Sequence, residues 1–263
     1  LFRSHEFFVD KNPIFSYSDQ LGTTNLFVGS RRAGRPPECW SSGFDAILNV
    51  TNEEYAGMIP DSNESMVDLD SNNSTHFYLQ LPIEEGKRDR TQLEKWMATG
   101  LVFIIHHLQR GRRVLVHCAQ GRDRSVAVAL VFVVLSCPLQ FPLRLAQGFS
   151  TWDLSTLENN MNYNNEIDNH NKREKVERSN EYYLSSGIST VLVTRLLSKD
   201  GQNLFLKWVH SQWRSDIKAG PLADKERIRV GLHLIKQDRE VADPTRSTMQ
   251  KINRFLMSSD IYK

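Results

Sequence analysis

Cysteine is scarce: 263 residues contain only three, Cys39, Cys118 and Cys137. So sparse and odd a set excludes a disulfide scaffold, suits a reducing compartment and sets cytoplasmic as the expected location. Long apolar runs are missing too. The longest, Val126–Leu135, falls well short of the roughly 18 residues that a membrane-spanning helix needs. Excess of one charge is also absent. A formal net charge of +2 excludes a uniformly basic nucleic-acid coat and leaves room only for a local basic patch. The chain has no cationic, apolar, small-residue leader and opens with Leu1, which fits a fragment or processed product. What is there, 40% hydrophobic and 24% charged residues, is the composition of a globular protein with a sizeable core.

Along the chain, strand signals fall at Leu26–Gly29, Ala46–Val50, Phe77–Ile83 and Val114–Val116. Residues 51–70 carry six carboxylates and no lysine or arginine, which reads as an exposed acidic loop. Thr91–Gln109 places Leu93, Met97, Leu101, Ile104, Ile105 and Leu108 at helical spacing, and Gly111 ends it. Ser125–Ser136 is apolar nearly all round. Its β-branched content favours a strand, but its length and its position behind a phosphate-type loop favour a buried helix closed by Pro138. Asparagine fills seven of the thirteen positions 159–171, so 159–182 reads as a disordered low-complexity insert. Apolar patterns resume over Ser189–Leu197 and Leu204–Trp213. Two helices then follow, one with Ile228, Leu232 and Ile235 on a face. The other opens with a capping box at Ser247 and Gln250 and buries Met249, Ile252, Phe255 and Leu256. The expected organisation is an N-terminal extension over 1–24, an α/β core over 25–158, the insert, and a helical completion of the same domain over 183–263.

The chemistry concentrates in His117-Cys118-Ala119-Gln120-Gly121-Arg122-Asp123-Arg124-Ser125. A strand, a glycine-bearing turn and an apolar helix in succession let the backbone N–H groups of 119–124 form an anion nest at a helix N-terminus. Arg124 would grip two oxygens of a phosphate with its planar fork, and the same positive field favours a thiolate at Cys118. Ser125 would donate to that sulfur. Ala119, Gln120, Gly121, Arg122, Asp123 and Ser125 are therefore the expected phosphate-binding residues, with Cys118 and Arg124 catalytic.

This pattern resembles the His-Cys-x5-Arg-Ser loop of protein-tyrosine and dual-specificity phosphatases. That resemblance implies a phosphatase-like central sheet flanked by helices, carrying a low-complexity insertion. It also implies a general acid before the long helix, for which Glu85 and Asp89 are the candidates. Four further stretches narrow the resemblance: Asn25-Leu26-Phe27-Val28-Gly29-Ser30 with Ala33-Gly34-Arg35-Pro36; Phe44-Asp45-Ala46-Ile47-Leu48-Asn49-Val50-Thr51; Gly86-Lys87-Arg88-Asp89-Arg90; and Ile228-Arg229 with the run from Asp243-Pro244-Thr245-Arg246 to Phe255-Leu256. Together they look like the C-terminal phosphatase-like domain of the initiator-tRNA phosphoribosyltransferase family.

The narrower resemblance implies a pentosyltransferase that moves a ribosyl phosphate from phosphoribosyl pyrophosphate to the 2′-hydroxyl of adenosine 64 in initiator methionyl-tRNA. It also implies an N-terminal domain outside this sequence. The implied partners are initiator tRNA and phosphoribosyl pyrophosphate, with neither membrane nor DNA. The implied cofactor set is nothing tightly bound, with Mg²⁺ arriving on the pyrophosphate. A cysteine-dependent dual-specificity-type phosphatase and a non-catalytic phosphate- or RNA-binding module are the alternative readings.

Charge placement suits a polyanion. Residues 84–124 hold nine lysines or arginines against five carboxylates, and Lys87, Arg88 and Arg90 are expected to bind phosphate, with Arg112 and Arg113 on the same face. Arg31, Arg32 and Arg35 would join if the two loops meet. His106, His107 and His117 show no metal-ligand spacing and read as structural, as do Trp96, Trp152, Trp208 and Trp213.

Overall fold

The computed structural model describes residues 17–55, 58, 76–147, 149–163, 186–213 and 222–257. Its centre is a five-stranded sheet of β1 (Ser18–Gln20), β2 (Leu26–Ser30), β3 (Ala46–Asn49), β4 (Phe77–Gln80) and β5 (Val114–Cys118), in the order β1-β2-β5-β3-β4. β1 is antiparallel to β2, and the remaining pairs are parallel. Parallel strands need crossovers. The helices are α1 (Glu38–Ser41), α2 (Gln92–Leu108), α3 (Arg124–Ser136), α4 (Leu154–Tyr163), α5 (Thr190–Leu196), α6 (Lys199–Trp213), α7 (Lys225–Asp238) and α8 (Arg246–Met257). The architecture is the expected α/β sheet flanked by helices.

β5 lies in the middle of the sheet and every one of its residues is buried. All thirteen residues of α3 are buried as well. An element enclosed on every side has no polar face to display, which explains why its sequence shows no helical periodicity. The main core fills the space between the sheet and α2, α3, α7 and α8. A smaller cluster around Phe44, Ile47, Tyr78 and Leu115 occupies the other face.

Several boundaries differ from expectation. β1 falls inside the expected extension 1–24; it is short, polar and at an edge, so it carries no alternating apolar signal. The fourth strand stops at Gln80 rather than Ile83, because Pro82 has no N–H for a ladder. α4 continues through Tyr163, so the first five positions of the expected insert are helical. Residues 164–182 and most of the acidic stretch 51–70 lie outside the described residues. The last helix starts earlier than the proposed capping box: the Thr245 hydroxyl accepts from the Thr248 N–H at 3.2 Å, making Thr245 the cap. Met249 is only partly buried, while Thr248 and Lys251 join Ile252, Phe255 and Leu256 on the inner face. Among the described residues, no helix is long and apolar enough to cross a membrane.

Candidate functional site

β5 delivers Cys118 to the carboxyl end of the sheet's central strand, and α3 begins six residues later at Arg124. A nest needs its N–H groups pointing inward, so the intervening carbonyls must face out and find donors. Those of Ala119, Gly121, Arg122 and Asp123 do. Ala119 O accepts from the Arg31 N–H at 3.2 Å, Arg122 O from the Asp243 N–H at 2.9 Å, and Asp123 O from the Ala127 N–H at 2.8 Å. Gly121 O accepts from Arg239 Nε at 2.7 Å. On the inner side, Gly121 N–H and Ser125 Oγ–H both donate to Cys118 Sγ, each at 3.2 Å.

Gly121 has φ +69°, and a Cβ there would sit 2.4 Å from Arg239 and 2.6 Å from the Gly29 backbone. Only glycine fits this turn. Asp123 stands at the N-cap position of α3, but its carboxylate turns away from the helix and accepts the Thr245 N–H at 2.8 Å. Arg122 is exposed and pairs with Asp243 at 3.2 Å, and Gln120 is exposed.

Arg124 is 5% exposed and donates from Nη1 to the Ile83 carbonyl at 2.7 Å, with Nη2 3.9 Å from Glu85 Oε1. Arg31, Glu53, Glu84, Glu85, Arg88, Ala119 and Arg124 share the lining of a cavity of about 90 Å³. The loop after β4 and the loop after β5 therefore meet at one site.

The two acid candidates separate there. Glu85 stands at the mouth. Asp89 is buried and committed elsewhere: its carboxylate accepts the Gln92 N–H at 2.7 Å and Lys251 Nζ at 2.7 Å. It accepts from the first turn of α2, whose N-cap residue Thr91 makes no such bond, and serves as the counter-ion of a buried lysine. Arg88 and Arg90 are exposed, with Arg88 on the cavity; the Lys87 side chain lies outside the described residues.

The wider basic face divides. Arg31 reaches the cavity, where it pairs with Glu53 and stacks on Tyr55 at 4.7 Å. Arg32 lies over Tyr17 and, with Arg35, lines a separate groove. Arg112 and Arg113 precede β5 and so occupy the opposite end of the sheet from the loop that follows it. Arg112 packs on Phe77 at 3.9 Å, and Arg113 donates to the Ser42 and Gly43 carbonyls. They are structural residues rather than part of one face with 87–90.

Burial decides the protonation of the neighbouring groups. His117 is fully enclosed, packs against Gly34 and is driven down to about 3; His106 is driven to about 4, and His107 also lies well below 6.5. All three are neutral side chains at pH 7. His107 is held by Ser186 O at 3.0 Å and Arg112 Nη1 at 2.9 Å. Burial pushes the thiols of Cys39 and Cys137 up to about 11 and about 12, leaving both inert. Among the described residues, no group of His, Cys, Asp and Glu could hold a metal ion. Trp96, Trp152 and Trp208 are buried, with the last two packed edge to face at 5.7 Å; the Trp213 side chain lies outside the described residues.

Arg239, Lys251 and Asp19 carry no motif that reveals their part in this site. Lys251 did leave a trace: it shares the apolar stripe of α8 with Thr248, Ile252 and Phe255, and a charge on a buried stripe demands a partner.

Comparison with known proteins matches two family models in succession. The dual specificity phosphatase catalytic domain matches residues 26–143, and the Rit1 dual-specificity-phosphatase-like domain matches 156–256. None of the curated proteins matches the chain. Among solved structures, DUSP15 is 12% identical, covering 92% of this chain and 88% of its own, with a TM-score of 0.46. The Yvh1 phosphatase domain from Chaetomium thermophilum is 14% identical, with 90% and 94% covered and a TM-score of 0.45. Human DUSP28 is 13% identical, with 92% and 95% covered and a TM-score of 0.41. The two family matches fall in succession on one continuous sheet-and-helix core, and they agree with the resemblance to the initiator-tRNA phosphoribosyltransferases that carry a dual-specificity-phosphatase-like domain.

Proposed function

We propose that this chain serves a cytoplasmic tRNA-modifying transferase that adds a ribosyl phosphate from phosphoribosyl pyrophosphate to the 2′-hydroxyl of adenosine 64 of initiator tRNA. The observation that carries this reading is the loop 118–125, where the Gly121 N–H and the Ser125 hydroxyl converge on Cys118 Sγ, in a chain whose C-terminal part matches the Rit1 domain. In the reaction the 2′-oxygen bonds to C1′ of the donor, the C1′–O bond to pyrophosphate breaks, and pyrophosphate leaves with the electron pair. The 2′-hydroxyl proton goes to a base. Magnesium travels with the pyrophosphate as part of the substrate. The nest and Arg124 dock a phosphate of donor or tRNA, and Glu85, 63% exposed beside Arg124, is the carboxylate positioned to exchange a proton. Arg31, Arg88 and Arg90 supply positive charge around the mouth, with Lys87 as a further candidate by sequence.

A cysteine-dependent phosphatase is the second reading, favoured by the hydrogen bonds from Ser125 and Gly121 to Cys118 Sγ, which glycosyl transfer does not require. Incubating the chain with initiator tRNA, labelled phosphoribosyl pyrophosphate and Mg²⁺ separates the two. Label on the RNA supports transfer. Release of phosphate from a phosphomonoester, lost in Cys118→Ser and without RNA labelling, supports the phosphatase.

A further inference from the structure

The phosphate loop is shaped by residues far along the chain. Its outward carbonyls at Gly121 and Arg122 accept from the Arg239 guanidinium and the Asp243 N–H, and the Asp123 carboxylate accepts the Thr245 N–H. All three partners lie in the corner between α7 and α8. Arg239 is the strongest of them. It is 3% exposed, directs Nε to Gly121 O at 2.7 Å, and directs Nη1 to Asp19 Oδ2 on β1 at 2.5 Å. The peptide it holds is adjacent to the chemistry, because the N–H of Gly121 donates to Cys118 Sγ.

We propose that Arg239 is a positioning residue of the anion site: by fixing the Gly121 carbonyl outward, it fixes the loop in the conformation whose amides face a phosphate. This inference rests on the reading of 118–125 as a phosphate loop. Gly121 is at positive φ with no side chain to restrain it, so its peptide is the one most free to rotate. A rotation would aim a carbonyl oxygen at the anion instead of an N–H. Arg239 opposes that rotation through a buried, charge-assisted bond, and Asp19 holds the guanidinium in plane. A further anchor, Lys251 of α8 on Asp89, ties the helix that follows this corner to the loop bearing Glu85. The region matched by the Rit1 model thus braces both loops of the site from behind.

The test uses the 263-residue chain and tungstate as the oxyanion probe, reading the dissociation constant by calorimetry alongside the melting temperature. Arg239→Met should weaken tungstate about tenfold or more. Arg239→Lys, which keeps the charge and one donor, should recover part of that affinity. Asp19→Asn touches no loop residue and preserves shape; it should weaken tungstate several-fold while barely moving the melting temperature. Unchanged tungstate affinity in a folded Arg239→Met or Asp19→Asn protein would overturn the inference, whatever happens to stability. Equal affinities for Arg239→Lys and Arg239→Met would also overturn it, because packing alone would then explain the residue. If the unaltered chain binds no tungstate, the phosphate-loop reading itself fails, and the role of Arg239 with it.

Discussion

Arg124 shows how one side chain can be legible in a sequence while its surroundings are not. Cys118, Gly121, Arg124 and Ser125 lie within one turn of chain, so their spacing alone implies the nest. The partners that orient them are remote: Arg239 reaches Gly121 across 118 positions, and Lys251 reaches Asp89 across 162. No local pattern encodes such pairs. The same distance helps explain why Glu85 and Asp89, four residues apart, could not be separated by sequence, since Lys251, together with the Gln92 N–H, removes Asp89 from contention. Arg124→Lys should weaken tungstate by about 1.5–3 kcal/mol, the scale of a charge-assisted bond, because lysine cannot both hold the Ile83 carbonyl and present a fork. Cys118→Ser should bind tungstate nearly as well as the unaltered chain, since the nest is backbone. Calorimetric titration of the three proteins measures both, and equal losses would assign the sulfur a share of the binding.

At the level of elements, β2, β3, β5, α2 and α3 were legible because burial imposes apolar runs and periodicities. β1 and α1 were not: the first is a polar edge strand, and the second is a four-residue turn of helix whose inner contact is Cys39. α8 is legible in its amphipathic stripe, but the stripe says nothing of where Lys251 goes; the structure buries it at 6% exposure against Asp89. A buried pair resists one-sided removal, because the surviving charge stays behind without its partner. Lys251→Met should destabilise the fold by about 3–5 kcal/mol, and adding Asp89→Asn should restore part of that loss. Urea denaturation of the single and double variants checks this; a double variant as unstable as the sum of its parts would mean the pair is not coupled.

Across the whole molecule, two charge effects can be told apart. The first is acid lability. His117, His106 and His107 stay neutral in the fold to well below 6.5, whereas in the unfolded chain they take up protons as the pH falls through that value. The unfolded state then binds more protons, so stability falls with falling pH, by about 2–3 kcal/mol between pH 6.5 and 5.5 for three such groups. Glu54 and Glu94, raised by burial, oppose this trend, and they do so chiefly lower in the range. Urea midpoints that stay level from pH 7 to 5.5 would contradict the histidine assignment. The second effect is contact with a polyanion, and here the sheet itself makes the discrimination. β5 rises about 3.3 Å per residue, so Arg112 and Arg113 stand at one end of the sheet while Arg31, Arg88 and Arg124 surround the other. If initiator tRNA docks at the loop end, Arg31→Ala, Arg88→Ala and Arg90→Ala should each weaken binding. Each that loses a phosphate contact should lower the log–log salt slope by about 0.7–0.9. Arg113→Ala should leave that slope unchanged and instead lower thermal stability, because its guanidinium is bonded to the Ser42 and Gly43 carbonyls. These losses should be similar for initiator and elongator tRNA, since backbone contacts carry little sequence information. Filter binding at two salt concentrations reads both quantities, and a fall in slope for Arg113→Ala equal to that for Arg88→Ala would move the RNA off the loop end of the sheet.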